Sequence, residues 1–265
     1  MTYSLTEVRD IIVAGAKEEL LPRFARVDRQ RKKDGSVLTE ADLAVQSRIA
    51  AQLLKRWPET VFLGEEMTAA EQTQLLRSGQ PVWCLDPLDG TSNFAAGIPY
   101  FCVSLALLRQ GEVMLGIVYD PIRDECFDAS PEQGARLNGE QLRLKATGLE
   151  LGQATALIDF KRLEKGLASR LVTQIPYASQ RSFGSVALDW CWLAAARCHV
   201  YLHGSSNIWD YVAGNYIFHA AGGYSTSLDG DPIFTQALKP RSSVAAVDRP
   251  LFTAWTEWLG VDLKP

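Results

Sequence analysis

With 265 residues, 47% of them hydrophobic, the chain suits one large domain or two closely packed ones, with a sizeable core. A net charge of −4 argues against a protein built mainly to grip nucleic acid, although Arg29, Arg31, Lys32 and Lys33 make one local basic run. Five cysteines without a C-x-x-C pair, no basic-then-apolar leader and no apolar run of about 18 residues predict a cytoplasmic protein with free thiols and no membrane span.

Apolar residues near helical spacing (Leu5, Val8, Ile11, Ile12, Leu20) predict a helix over 4–25. Asp34-Gly35 signals a turn. A second helix is expected from Thr39, with Asp42 three residues on as in a capping box, and should stop before Pro58. Short apolar runs then predict strands at 60–63, 82–85, 102–108 and 113–119, with Gln110-Gly111-Glu112 turning between the last two. Residues 125–144 read as further short strands. Beyond residue 150 come a strand (154–158), helices (163–174 and 186–196), a strand (200–203) and a helix (211–221) closed by Gly222-Gly223. The whole predicts layered helices and largely antiparallel strands, divided into subdomains at 1–148 and 149–265.

The chemistry concentrates in "WCLDPLDGTSNF" (83–94). Pro87 cannot donate a ladder hydrogen bond, so the strand is expected to end there, leaving Asp86, Asp89 and the Leu88 carbonyl to converge. Oxygen donors of this kind suit a hard cation such as Mg²⁺. Gly90 and Thr91 open a predicted helix whose N–H groups would favour an anion. Alone, the motif reads equally well as a turn whose aspartate caps the next helix. Two other stretches shift that balance: "TVFLGEE" (60–66) repeats the strand-then-acids design, and "NIWDYVAG" (207–214) sets Asp210 at a helix start. Carboxylates about 4 Å apart repel by about 4 kcal/mol at an effective dielectric of 20, so such a cluster calls for cations.

GEE at 64–66, DPLDGTSNF at 86–94 and WD at 209–210, in this order and spacing, resemble the inositol monophosphatase family of Mg²⁺-dependent, lithium-sensitive phosphatases. "KDGSVLTEAD" (33–42) and "FGSVALD" (183–189) extend the resemblance over nearly the whole chain. It implies an α+β fold, a layered α-β-α-β-α sandwich, and a homodimer. It also implies two or three Mg²⁺ ions: one on Glu65, Asp86 and the Leu88 carbonyl, a second on Asp86, Asp89 and Asp210, and a third, weaker one touching Glu65. Thr91 and Asp42 would orient and deprotonate the attacking water, and Gly90 and Thr91 N–H groups would hold the phosphate near Lys33. Ser185 and Val186 match pocket-lining positions, with ordinary capping an equal alternative for Ser185.

One position departs from the pattern. Relatives carry a substrate-binding Glu seven residues before the WD aspartate; here that position is His203. His203 is expected either to end a strand at the surface or to meet a different alcohol, such as one with a negative group. The leading expectation is therefore hydrolysis of inositol 1-phosphate or a similar small polyol phosphate. Sibling specificities (3′-phosphoadenosine 5′-phosphate, fructose 1,6-bisphosphate, histidinol phosphate) and a mainly regulatory binding role are the alternatives. His199 is expected to be a satisfied core histidine, and His219 a packing or surface change.

Overall fold

The computed structural model describes residues 3–26, 30–31, 37–63, 67–235 and 238–264, so the expectations for Lys33, Asp34-Gly35, Glu65 and Glu66 lie outside the described residues. The chain opens with α1 (Leu5–Glu19), capped by Ser4, whose hydroxyl accepts the Glu7 N–H. The predicted helix over 4–25 is shorter than expected: it breaks into a 3₁₀ turn over Leu21–Arg23, because Pro22 cannot supply an intrahelical N–H. A small ribbon of β1 (Gln30–Arg31) and β2 (Val37–Leu38) precedes α2 (Glu40–Arg56), where Thr39 and Asp42 form the expected capping box.

Next come β3 (Val61–Leu63), α3 (Ala69–Arg77), β4 (Val82–Asp89), α4 (Thr91–Ala96), β5 (Cys102–Arg109), β6 (Glu112–Asp120), β7 (Glu125–Ser130), β8 (Gly134–Leu137) and β9 (Glu140–Gln141). Strands β3 to β9 lie side by side in chain order as a seven-stranded sheet, antiparallel except for β3 on β4. The second half supplies β10 (Thr155–Asp159), α5 (Lys165–Thr173), β11 (Ser179–Arg181), α6 (Val186–Ala194), β12 (Val200–Ser206), α7 (Ile208–Ala220), β13 (Tyr224–Thr226), β14 (Arg241–Ala246) and α8 (Arg249–Leu259). Its five-stranded sheet runs β11-β10-β12-β14-β13, with β10 parallel to both neighbours and the β14 pairings antiparallel.

Period-two alternation sends β5 side chains to two different cores. Val103, Leu105 and Leu107 face α1 and α2 with Trp57, Trp83 and Ile117, while Cys102, Ala106 and Leu108 face α6 and α7. Those two helices lie between the sheets, and α5 and α8 cover the far side of the second sheet, which completes five layers in the order α-β-α-β-α. Being covered on both sides, α7 is buried nearly all round (Ile208, Tyr211, Val212, Ala213, Ile217, Phe218). Its close fit needs Gly116 and Gly214. A Cβ on Gly116 would meet the Ala213 carbonyl oxygen at 2.9 Å, and one on Gly214 would meet Trp190 Cβ at 2.7 Å. The five cysteines are free and buried.

Helices α3 and α8 and strands β11, β13 and β14 were not expected from the sequence. The cap of α8 also anchors the connection between the sheets. Asp248 Oδ2 accepts from Thr147 N and Oγ1, both at 2.7 Å, and Oδ1 accepts from Leu251 N at 2.9 Å. Burial works against this charge, but the bonds from Thr147 and Leu251 outweigh it and hold the carboxyl below its usual value. Its contribution to stability is therefore present above the unfolded carboxylate range near pH 4 and is lost as pH falls through the folded value. Asp248→Ala should cost about 1–2 kcal/mol at neutral pH and flatten that part of the acid transition in urea melts. An unchanged midpoint would remove the cap from this account.

Candidate active site

Strand β4 does not end at Pro87 as expected; it continues through it. Asp86 pairs with Ser104 and Asp89 with Cys102, so three steps on β4 oppose two on β5. The missing proline N–H falls in this bulge, where no ladder bond is needed. The Asp86 carboxylate folds back to accept Leu88 N at 3.0 Å. At Gly90 the chain turns through φ 88° with Tyr100 O and Phe101 close by, so a Cβ there would stand 2.9 Å from a carbonyl oxygen. Helix α4 starts at once, and the Thr91 hydroxyl meets Leu88 O at 2.9 Å and Asp42 Oδ1 at 3.4 Å.

Capping chemistry sets two further carboxylates at this place. Asp42 Oδ2 accepts from Thr39 N and Oγ1 at 2.8 and 2.7 Å, which leaves Oδ1 toward Thr91. Asp210, third residue of α7, likewise accepts Asn207 N at 2.8 Å. Asp89 is fixed from α6: its Oδ2 accepts Ser185 Oγ and Ala187 N, both at 2.7 Å. Ser185 is fully buried and its hydroxyl donates a hydrogen bond to Asp89, while Val186 opens α6 beside it. Asn93, within the quoted motif but not singled out from sequence, ties the two helix starts together by donating to Tyr100 O (2.8 Å) and Phe183 O (2.7 Å).

Electrostatics follow from this crowding. Burial raises the Asp86 carboxyl well above its usual range, and the charges of Asp89, Asp210 and Asp42 raise it further. Burial also raises Asp89 and Asp42, against the hydrogen bonds each accepts. Among the described residues no three such side chains close directly around one point; each aspartate meets the donors just named.

His203 is not at the surface. It is 2% exposed, with Nε2 2.9 Å from Asp159 Oδ2 and Nδ1 accepting Ser205 N at 3.3 Å. His199 Nδ1 accepts Thr155 N at 2.9 Å, and His219 Nε2 lies 2.7 Å from Ser225 Oγ.

A carboxylate-bearing bulge, a glycine turn opening a helix and two capping aspartates lie near one another, and residues 4–256 match the family model described as the inositol monophosphatase family. The chain belongs to that family. It is therefore a phosphatase, and the family is metal-dependent, typically on Mg²⁺. An inositol-1-monophosphatase of Mesorhizobium japonicum is 33% identical over 75% of each chain, and a Nus factor SuhB of Pasteurella multocida is 33% identical over 75% of this chain and 74% of its own. Among solved structures, the extragenic suppressor protein suhB of Bartonella henselae matches with a TM-score of 0.83 at 26% identity, covering 97% of this chain and 98% of that one. The family's layered sandwich is the fold found here. Among the described residues no helix is long and apolar enough to cross a membrane.

Proposed function

We propose that the protein is a Mg²⁺-dependent phosphomonoesterase, acting as a homodimer on inositol 1-phosphate or a similar small polyol phosphate. The observation that carries this reading is the gathering of acids at the β4 bulge, with Asp89 fixed by Ser185 and Ala187, Asp42 beside Thr91, and Asp86 folded onto Leu88 N. Burial first, and then the charges of Asp89, Asp210 and Asp42, raise the Asp86 carboxyl. The donor set, carboxylates plus the Leu88 carbonyl, has the hard oxygen chemistry that Mg²⁺ prefers. Asp86, Asp89 and Asp210 would hold one ion, and Glu65, Asp86 and Leu88 O another. When bound, the metal supplies charge stabilisation for the entering and leaving oxygens and acidifies water.

The chain's own groups do the rest. Gly90 and Thr91 N–H groups would hold the phosphate, and Lys33, which lies outside the described residues, is the basic residue that the family resemblance assigns to it. Thr91 and Asp42 orient the attacking water, and burial raises the proton affinity of Asp42, the direction that favours a base. Ser185 and the α6 N-terminus keep Asp89 in one orientation. Phosphoryl transfer needs mostly positioning and electrostatics, so no protein nucleophile is required.

Phosphate release is the test, with inositol 1-phosphate, glycerol 2-phosphate, fructose 1,6-bisphosphate, histidinol phosphate and 3′-phosphoadenosine 5′-phosphate, each with and without lithium. The polyol monophosphates should turn over fastest, only with Mg²⁺, and should be slowed by lithium. Preference for a bisphosphate or nucleotide would replace the substrate assignment. No turnover of any, with Mg²⁺ still raising the melting temperature, would favour a regulatory role.

A further inference from the structure

Strands β11, β10 and β12 are parallel neighbours, so their C-terminal ends open on one side of the sheet. In open sheets this is where ligands settle, in the crevice outside the carboxyl ends. The exit of β11 leads through Phe183 to Ser185 and Ala187, which hold Asp89. The exit of β12 leads directly into α7 and Asp210. Between these two exits ends β10, and its last residue is Asp159, the Cα partner of His203.

The pair is built as a holder and a held group. His203 uses both ring nitrogens, Nε2 toward Asp159 and Nδ1 toward Ser205 N, and is almost fully buried, so it has nothing left to offer a ligand. The Asp159 side chain keeps 25% of its surface. Oδ1 takes Lys161 N at 2.9 Å and Oδ2 takes His203, yet each carboxylate oxygen retains a further acceptor site. The turn that follows lies directly on β12, because a Cβ on Gly204 would collide with Arg162 O. Arg162 flanks the pair, with Nε 3.9 Å from Asp159 Oδ2 and Nη1 bound to Ser205 O at 3.4 Å. Burial opposes charge on Asp159, but His203, Lys161 N and Arg162 outweigh it, and the group stays an anionic acceptor at working pH.

We infer that Asp159, oriented by His203, accepts hydrogen bonds from hydroxyl groups of the leaving alcohol and so selects polyhydroxylic phosphate esters, a specificity that rests on the phosphatase reading above.

The test compares inositol 1-phosphate with p-nitrophenyl phosphate, whose leaving group has no hydroxyl beyond the ester oxygen. In Asp159→Asn, kcat/KM for inositol 1-phosphate should fall about tenfold to a hundredfold relative to that for p-nitrophenyl phosphate, mainly through KM, as expected for losing hydrogen bonds to a charged acceptor. His203→Gln, whose amide can still donate to Asp159, should show a smaller change in the same ratio, and it carries the test if Asp159→Asn fails to melt cooperatively. Equal loss on both substrates, or no change in the ratio, would overturn the inference and leave the phosphatase reading intact. Wild-type turnover of neither substrate with Mg²⁺ would overturn both.

Discussion

Asp89→Asn is expected to lower kcat for Mg²⁺-dependent phosphate release by about a thousandfold, the upper end of what removing one preorganised electrostatic group costs. The fold should survive. An asparagine oxygen can still accept from Ser185 Oγ and Ala187 N, which fix the side chain at 2.7 Å, and the residue is the same size. What disappears is the charge, and with it the share that Asp89 would have in the proposed cation site. Asp210→Asn should behave alike, since its amide oxygen can keep the bond from Asn207 N. Full turnover by either variant with an unchanged melting temperature would show that the cation sits elsewhere. A collapsed melting temperature would instead assign the loss to folding.

The second expectation concerns stability. Asp86 is buried and also stands within the field of Asp89, Asp210 and Asp42, a net cost to its charged form in the metal-free protein. Asp86→Asn should therefore raise the metal-free melting temperature near neutral pH by several degrees, the equivalent of about 1–2 kcal/mol in a protein of this size. On the proposed assignment Mg²⁺ should bind the folded wild type and stabilise it by mass action, about 2.7 kcal/mol at one hundred times Kd. In the variant that increment should shrink to little or nothing. Thermal melts in EDTA and in excess Mg²⁺ read both effects. A wild type indifferent to Mg²⁺, or a variant destabilised in EDTA, would contradict the crowded-carboxylate account.

How much was legible in sequence differs by element. Strands β5 and β6 and helix α2 were readable because their signals are local: period-two and helical spacing, a Gln-Gly turn, a Thr39–Asp42 cap. Helix α3 escaped because "AAEQTQLLR" has a short apolar face and few buried residues. The bulge in β4 was misread as a strand end. Pro87 does remove a ladder donor, but only the pairing of Asp89 with Cys102 tells whether a strand stops or steps over it.

The aspartates themselves were visible, since DPLDGTSNF and WD are contiguous words whose chemistry depends on residue type. Sequence by itself thus determined the family, the residue types of the candidate oxygen donors and the Thr39 cap that holds Asp42, while the Asn207 cap that holds Asp210 emerged only in the structure. The tertiary structure decided what no local spacing encodes. It gave Ser185 to Asp89 across 96 positions, buried His203, and set Asp159 beside it through parallel strand register. Hydrogen bonds between distant segments depend on how sheets and helices stack, and stacking is set by the sum of buried faces rather than by any one word in the chain.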